Sequence, residues 1–249
     1  MRSFLILLAG LLAAPMAYAC EIALALTVDV SGSINEQEYH LQMDGLAAAL
    51  QNPTVEDALV AGNVALMLVQ WSGGNRQTVS VPWQRMHRRV DVANFAAAVI
   101  AAPRAWDQFS TGIGGALQFT AAQFGSVADC TRKVIDVSGD GYSNEGLAPK
   151  DVATALAAQG FQINGLAIEG DEFELTEYFR HNVISGTGAF VFTAKSYADY
   201  PRAIWRKLLA ELVIPMSWNA GPVAPIPLHE ILADQYIRKL GASLPRTGT

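Results

Sequence analysis

Histidine and cysteine are scarce in this chain of 249 residues, which holds four of the first and two of the second. That scarcity argues against a zinc or copper centre built from imidazole and thiolate. Charge is also sparse at 16%, with 17 basic residues against 23 acidic ones. A chain of net charge −6 lacks the basic surface that nucleic-acid partners need. Arg85, Arg88 and Arg89 do cluster, and they read as a solvated loop. No Walker A motif, Gly-x-Ser-x-Gly elbow or internal repeat occurs. Past the first residues no apolar run reaches the roughly 18 residues of a membrane span.

The opening residues form a separate unit. Arg2 is followed by an apolar run over Phe4–Ala14 and a small-x-small site at Ala17-Tyr18-Ala19. This is the order of a secretory leader covering residues 1–19, so export to the periplasm or medium is expected. Removing it takes Arg2 away and leaves the mature chain one unit more negative. Cys20 and Cys130 then point to a disulfide. A rival reading makes Cys20 a lipid-anchored residue, since it directly follows the cleavage site. Ala17 stands where such leaders usually carry Leu.

From Ile22 the pattern alternates between strand and helix. Strands are expected at Ile22–Val28, Asn63–Ser72, Thr78–Trp83, Lys133–Val137, Phe161–Ile168 and Phe190–Thr193. Between them, helices are expected from a Ser33–Glu36 capping box to Asn52, with Pro53 as the stop, and over Val92–Ala101 and Gly112–Phe124. Pro149–Gln159, Leu175–His181 and Tyr197–Val213 follow. The Gly73-Gly74 turn makes the third strand an antiparallel edge strand, where Pro82 is tolerated. The fold class is therefore α/β: a doubly wound, mostly parallel sheet with helices on both faces. A domain over 20–214 is expected. Residues 215–249 follow as a Pro-rich linker and tail, with an amphipathic helix at Leu228–Leu240. Leu244–Gly248 matches a sortase-type pentapeptide without the hydrophobic segment and basic tail that would support it.

Three short motifs fall where such a sheet binds ligands, beyond the carboxyl ends of its strands. They are Asp29-Val30-Ser31-Gly32-Ser33, Ser110-Thr111-Gly112 and Ser138-Gly139-Asp140-Gly141. With strand order 3-2-1-4-5-6, Asp29 and Asp140 face one crevice, and Thr111 arrives from a neighbouring loop. Two carboxylates and three hydroxyls make an all-oxygen shell, the kind that hard cations take. If the aspartates act partly through water, the ion stays electrophilic toward an outside carboxylate. The rest of the chemistry-bearing residues read as structural. Asp136, inside the fourth strand, is expected to be a hydrogen-bonding hub. Trp71, Trp83 and Trp106 read as core or rim, and the histidines as surface or satisfied core. Gly112-Ile113-Gly114-Gly115 lacks the spacing and the preceding strand of a dinucleotide fingerprint.

In order and placement, Asp29, Ser31, Ser33, Thr111 and Asp140 resemble the metal-ion-dependent adhesion site (MIDAS) of von Willebrand factor type A domains. Val134–Gly141 and Ile163–Ile168 also resemble an uncharacterised family of exported bacterial type A proteins. One departure is Ser138-Gly139, where many type A domains place Thr directly before Asp-Gly. The resemblance implies an Mg²⁺ site, with Mn²⁺ or Ca²⁺ as substitutes, held by those five residues. It implies a non-enzymatic role: binding a protein partner that donates an Asp or Glu carboxylate. The alternatives are a metal-dependent hydrolase and a metal-free structural module. In this fold Cys20 and Cys130 precede neighbouring parallel strands, which puts both thiols at the end of the sheet opposite the metal.

Overall fold

The computed structural model describes residues 20–170 and 174–213. The leader, the linker, the Leu228–Leu240 helix and the pentapeptide lie outside the described residues.

Six strands form one sheet: β1 (Ile22–Asp29), β2 (Ala65–Trp71), β3 (Gln77–Arg85), β4 (Arg132–Gly139), β5 (Phe161–Ile168) and β6 (Val191–Ala194). Their order is β3-β2-β1-β4-β5-β6, parallel throughout except for the antiparallel β2–β3 pair. This is the order expected from the sequence. β3 is the antiparallel edge strand, and its register against β2 shifts where Pro82 sits exposed. A bulge there absorbs the missing N–H.

The helices are α1 (Glu36–Leu50), α2 (Pro53–Ala61), α3 (Arg89–Ala101), α4 (Ile113–Ala121), α5 (Pro149–Ala157), α6 (Leu175–Asn182) and α7 (Tyr200–Val213). Two expectations need correction. The capping box of α1 is not Ser33 with Glu36. Asn35 accepts from the Glu38 amide at 3.0 Å, and Glu38 accepts from the Asn35 amide at 2.9 Å. Ser33 therefore stays outside the helix with its hydroxyl free for the crevice. Pro53 does not merely stop a helix. It occupies the first turn of α2, behind an Asn52 cap, where its missing N–H costs nothing.

Both faces of the sheet are covered, so its parallel strands are apolar on both sides. Ile22, Leu24, Leu26 and Val28 pack beneath α1, α3 and α7. Ala23 and Ala25 face the opposite layer, with Ile113 and Leu117 of α4 and the fully buried Trp71. On α1 the stripe Tyr39, Met43, Leu46 and Leu50 is buried as its spacing requires. Trp83 and Trp106 are partly buried against the two clusters.

Asp136 lies in the middle of β4 and is buried, as expected. What the sequence did not reveal is its partner. Lys207 on α7 forms an ion pair with it, and Glu211 one turn later lies 2.7 Å from the same Nζ. Asn164 on β5 donates to that Glu211 oxygen at 2.9 Å. The network sews α7 to β4 and β5.

Cys20 and Cys130 form a disulfide at the N-terminal edge of β1 and β4. The arginine cluster carries no free charge face. Arg85 pairs with Asp129, Arg88 with Asp91, and Arg89 with Glu56 and Asp57. His40, His87 and His181 are exposed.

Candidate metal site

At the carboxyl end of β1 the chain turns sharply through Val30–Ser33. Asp29 makes that turn, accepting from the Ser31 amide at 2.8 Å on Oδ1. Arg104 fixes it from outside, donating to the carbonyls of Val30, Ser31 and Ile34 at 3.2, 2.9 and 2.6 Å. Gln42 on α1 donates to the Asp29 carbonyl at 2.9 Å. Together these contacts aim the Asp29 side chain and both serine hydroxyls at one point.

Thr111 is held separately. Its amide donates to Asn144 Oδ1 at 2.9 Å, and its carbonyl accepts from the amides of Asn144 and Glu145 at 2.9 and 3.2 Å. The loop after β4 thus grips the loop before α4. The four glycines around this junction are a packing device. A Cβ on Gly112 would lie 2.5 Å from the Gly74 nitrogen, and one on Gly115 would lie 2.2 Å from the Gly74 oxygen. Gly114 meets the Leu147 carbonyl in the same way, at 2.2 Å. The Gly-rich stretch that resembles a weak nucleotide fingerprint is there for close backbone approach.

The structure brings all five sequence-predicted residues together. Thr111 Oγ1 lies 3.4 Å from Ser31 Oγ, Ser31 Oγ lies 3.3 Å from Ser33 Oγ, and Ser33 Oγ donates to Asp140 Oδ1 at 2.8 Å. Asp29, Ser31 and Thr111 form the buried floor, and Ser33 and Asp140 the mouth. Gly139 accounts for the departure noted in the sequence. A Cβ there would sit 3.1 Å from Asp29 Oδ2 and 3.4 Å from the Trp71 ring. Glycine leaves room for a carboxylate walled in by tryptophan.

Electrostatically the site wants positive charge. Burial, then the neighbouring Asp140 carboxylate, pushes the Asp29 carboxyl up to about 8. Burial also raises Asp140, opposed by its contact with Ser33. Asp29 Oδ2 is buried with no hydrogen-bond partner among the described residues. An orphaned carboxylate oxygen inside a ring of hydroxyls matches what a hard cation takes. Among the described residues no three His, Cys, Asp or Glu side chains are placed to hold a metal ion together, and the crevice floor offers carboxylates and hydroxyls.

Sequence reasoning missed the supports: Arg104, Gln42 and Asn144, and also Tyr197 beside Asp140. The Asn144 contact had no local signal, because it joins loops 33 residues apart in the chain.

The sheet order, the antiparallel edge and the crevice between β1 and β4 define a von Willebrand factor type A fold. The chain belongs to the family described as protein of unknown function (DUF1194), whose match covers residues 19–216. No curated protein is similar in sequence. Among solved structures, the fold is similar to proximal thread matrix protein 1 from the mussel byssus. The identity is 22% and the TM-score 0.59, over 78% of this chain and 49% of that one. It is also similar to a von Willebrand factor type A protein from Catenulispora acidiphila, at 19% identity and TM-score 0.55, over 77% and 43% of the two chains. The pilus adhesin SpaC from Lactobacillus rhamnosus GG aligns at 13% identity and TM-score 0.56, over 77% and 31%. This chain spans half or less of the length of these proteins. The mussel protein is also described with a zinc-occupied MIDAS motif.

Proposed function

We propose that the chain is an exported, metal-dependent protein-binding module. Asp29, Ser31, Ser33, Thr111 and Asp140 hold Mg²⁺, with Mn²⁺ or Ca²⁺ as substitutes, and the ion engages an Asp or Glu carboxylate of a partner protein. The observation that carries this reading is the unpartnered Asp29 Oδ2 at the floor of a hydroxyl-lined crevice that opens at Asp140. Where the aspartates act partly through water the ion stays electrophilic, and an outside carboxylate completes its shell. The likeness to adhesion and matrix proteins, one of them with metal at the corresponding motif, supports a binding role. The leader-like residues 1–19 support export, with the disulfide favouring a free periplasmic or secreted form over lipid anchorage at Cys20.

Thermal unfolding with Mg²⁺, Mn²⁺, Ca²⁺ or Zn²⁺, each against chelator, tests the metal. An ion bound only by the folded state stabilises it by about 2.7 kcal/mol at a hundredfold excess over Kd. The wild type should show such a shift, and Asp29→Ala and Asp140→Ala should lose it. A wild type indifferent to all four ions returns the domain to a metal-free structural role.

A further inference from the structure

The crevice is larger than an ion and one carboxylate require. It encloses about 440 Å³ and continues past Asp140 between Glu38 on α1, Glu169 after β5, and the rings of Tyr142 and Tyr197. No Lys or Arg is among the described residues that line it. Glu38 and Glu169 are each held in place, the first by the Asn35 amide at 2.9 Å and the second by the Thr176 hydroxyl at 2.7 Å. Neither has a cationic partner among the described residues. Tyr197 is only 8% exposed and lines this space beside Asp140.

These observations create a conflict that the metal alone does not resolve. A divalent ion balances Asp29 and Asp140. Glu38 and Glu169 remain, and a partner carboxylate would add a third negative charge to a half-enclosed space. Like charges in one half-enclosed crevice repel, so an anionic ligand without a cation of its own is disfavoured. The ligand that fits best brings a positive charge.

We propose that the crevice selects a partner segment in which the metal-binding carboxylate stands beside a Lys or Arg, whose cation lies between Glu38 and Glu169. This rests on the metal-dependent reading above. The space beyond Asp140 takes a long aliphatic stem against the tyrosine rings. The cation then meets two carboxylates and two tyrosine rings. Specificity arises because a neutral or acidic neighbour leaves Glu38 and Glu169 facing the incoming carboxylate unrelieved.

Fluorescein-labelled peptides of sequence Gly-Ser-Asp-Xaa-Gly-Ser, with Xaa as Lys, Arg, Ala or Glu, provide the test. Binding to the mature chain is read by fluorescence polarisation with Mg²⁺ and with chelator. The Lys and Arg peptides should bind about tenfold more tightly than the Ala peptide, and the Glu peptide most weakly. The preference should shrink as salt rises. Glu38→Gln and Glu169→Gln should each remove most of the preference, weakening the Lys peptide and strengthening the Ala and Glu peptides, with the melting temperature unchanged. Glutamine still accepts from the Asn35 amide, so the helix cap survives. Equal binding of Lys, Ala and Glu peptides would overturn the proposal, as would a preference that persists in both variants. So would a second Mg²⁺ per chain, by calorimetry, that disappears in the variants. A protein that binds Mg²⁺ in the melts yet no peptide in an Mg²⁺-dependent way would overturn the carboxylate reading and this proposal with it. A Lys preference that survives in chelator and falls in Glu38→Gln would uphold the cation subsite and sink only the metal-bridged contact.

Discussion

Lys207 on α7 and Asp136 in the middle of β4 form an ion pair with both side chains sealed from solvent. Because Glu211 shares the same ammonium group, one cation stands between two carboxylates. Removing Lys207 would leave both buried acids uncompensated, a loss of about 3–5 kcal/mol. Urea unfolding of Lys207→Met should show that drop. Converting Asp136 and Glu211 to apolar residues as well should recover most of it, because the cost lies in the unpaired charge. A single Lys207→Met change that leaves stability intact would mean that the pair does not form in solution.

The same network gives a pH dependence. Burial, followed by repulsion from Glu211, raises the Asp136 carboxyl to about 7 from its usual 3.8. A carboxyl raised in the folded state contributes stability in full below its unfolded pKa, and that contribution is lost as pH rises through the folded one. Stability should therefore fall between about pH 4 and pH 7 by up to a few kcal/mol on this account. Asp29 is raised for a similar reason and pulls in the same direction. The difference between wild type and Asp136→Asn, followed by denaturant melts from pH 4 to 8, isolates the Asp136 share. A difference constant across that range would refute it.

The sequence made the architecture legible because the strands are apolar on both faces and the breaks between elements are marked by Gly, Pro and Asn. It made the five crevice residues legible because they sit in short motifs at strand ends and a helix start. Two things were hidden. Ser33 could be read both as a helix cap and as a crevice ligand, and only the Asn35–Glu38 pairing decides between them. Lys207 and Glu211 look like the polar face of a surface helix, and nothing local says that α7 turns that face onto Asp136.

The Cys20–Cys130 bridge closes a separation of 110 residues. Replacing both cysteines with serine should lower stability by about 2–4 kcal/mol, since the unfolded chain regains that loop's freedom. Intact mass of the exported protein gives a direct check. The bridge lowers the mass by two hydrogens, whereas a diacylglyceryl adduct on Cys20 would show that the thiol is used for anchorage instead.

The glycines that let loops meet around Thr111 make a sharper test of how the site is built. Gly115→Ala forces a methyl group against the Gly74 carbonyl, so α4 must move. Overpacking of this kind costs about 1–3 kcal/mol. The Mg²⁺-dependent melting shift should shrink with it, because Thr111 moves with the start of α4. Gly125→Ala is the control, since nothing lies within 4 Å of its new methyl group. Similar losses in both variants would show that the close approach has no bearing on the site.

The disulfide and α7 also fix how the domain meets a load. The Thr131 amide donates to the Cys20 carbonyl at 3.0 Å, and Arg132 donates to the Glu211 carbonyl at 3.1 Å. The described chain thus comes in and goes out beside the start of β4. Asp29 and Asp140 lie at the far tips of strands whose eight residues span roughly 26 Å. Tension applied through Cys20 and α7 would run through the bridge and the base of β4 and bypass the crevice. A bead, surface or fusion partner attached at either of those points leaves the crevice facing outward.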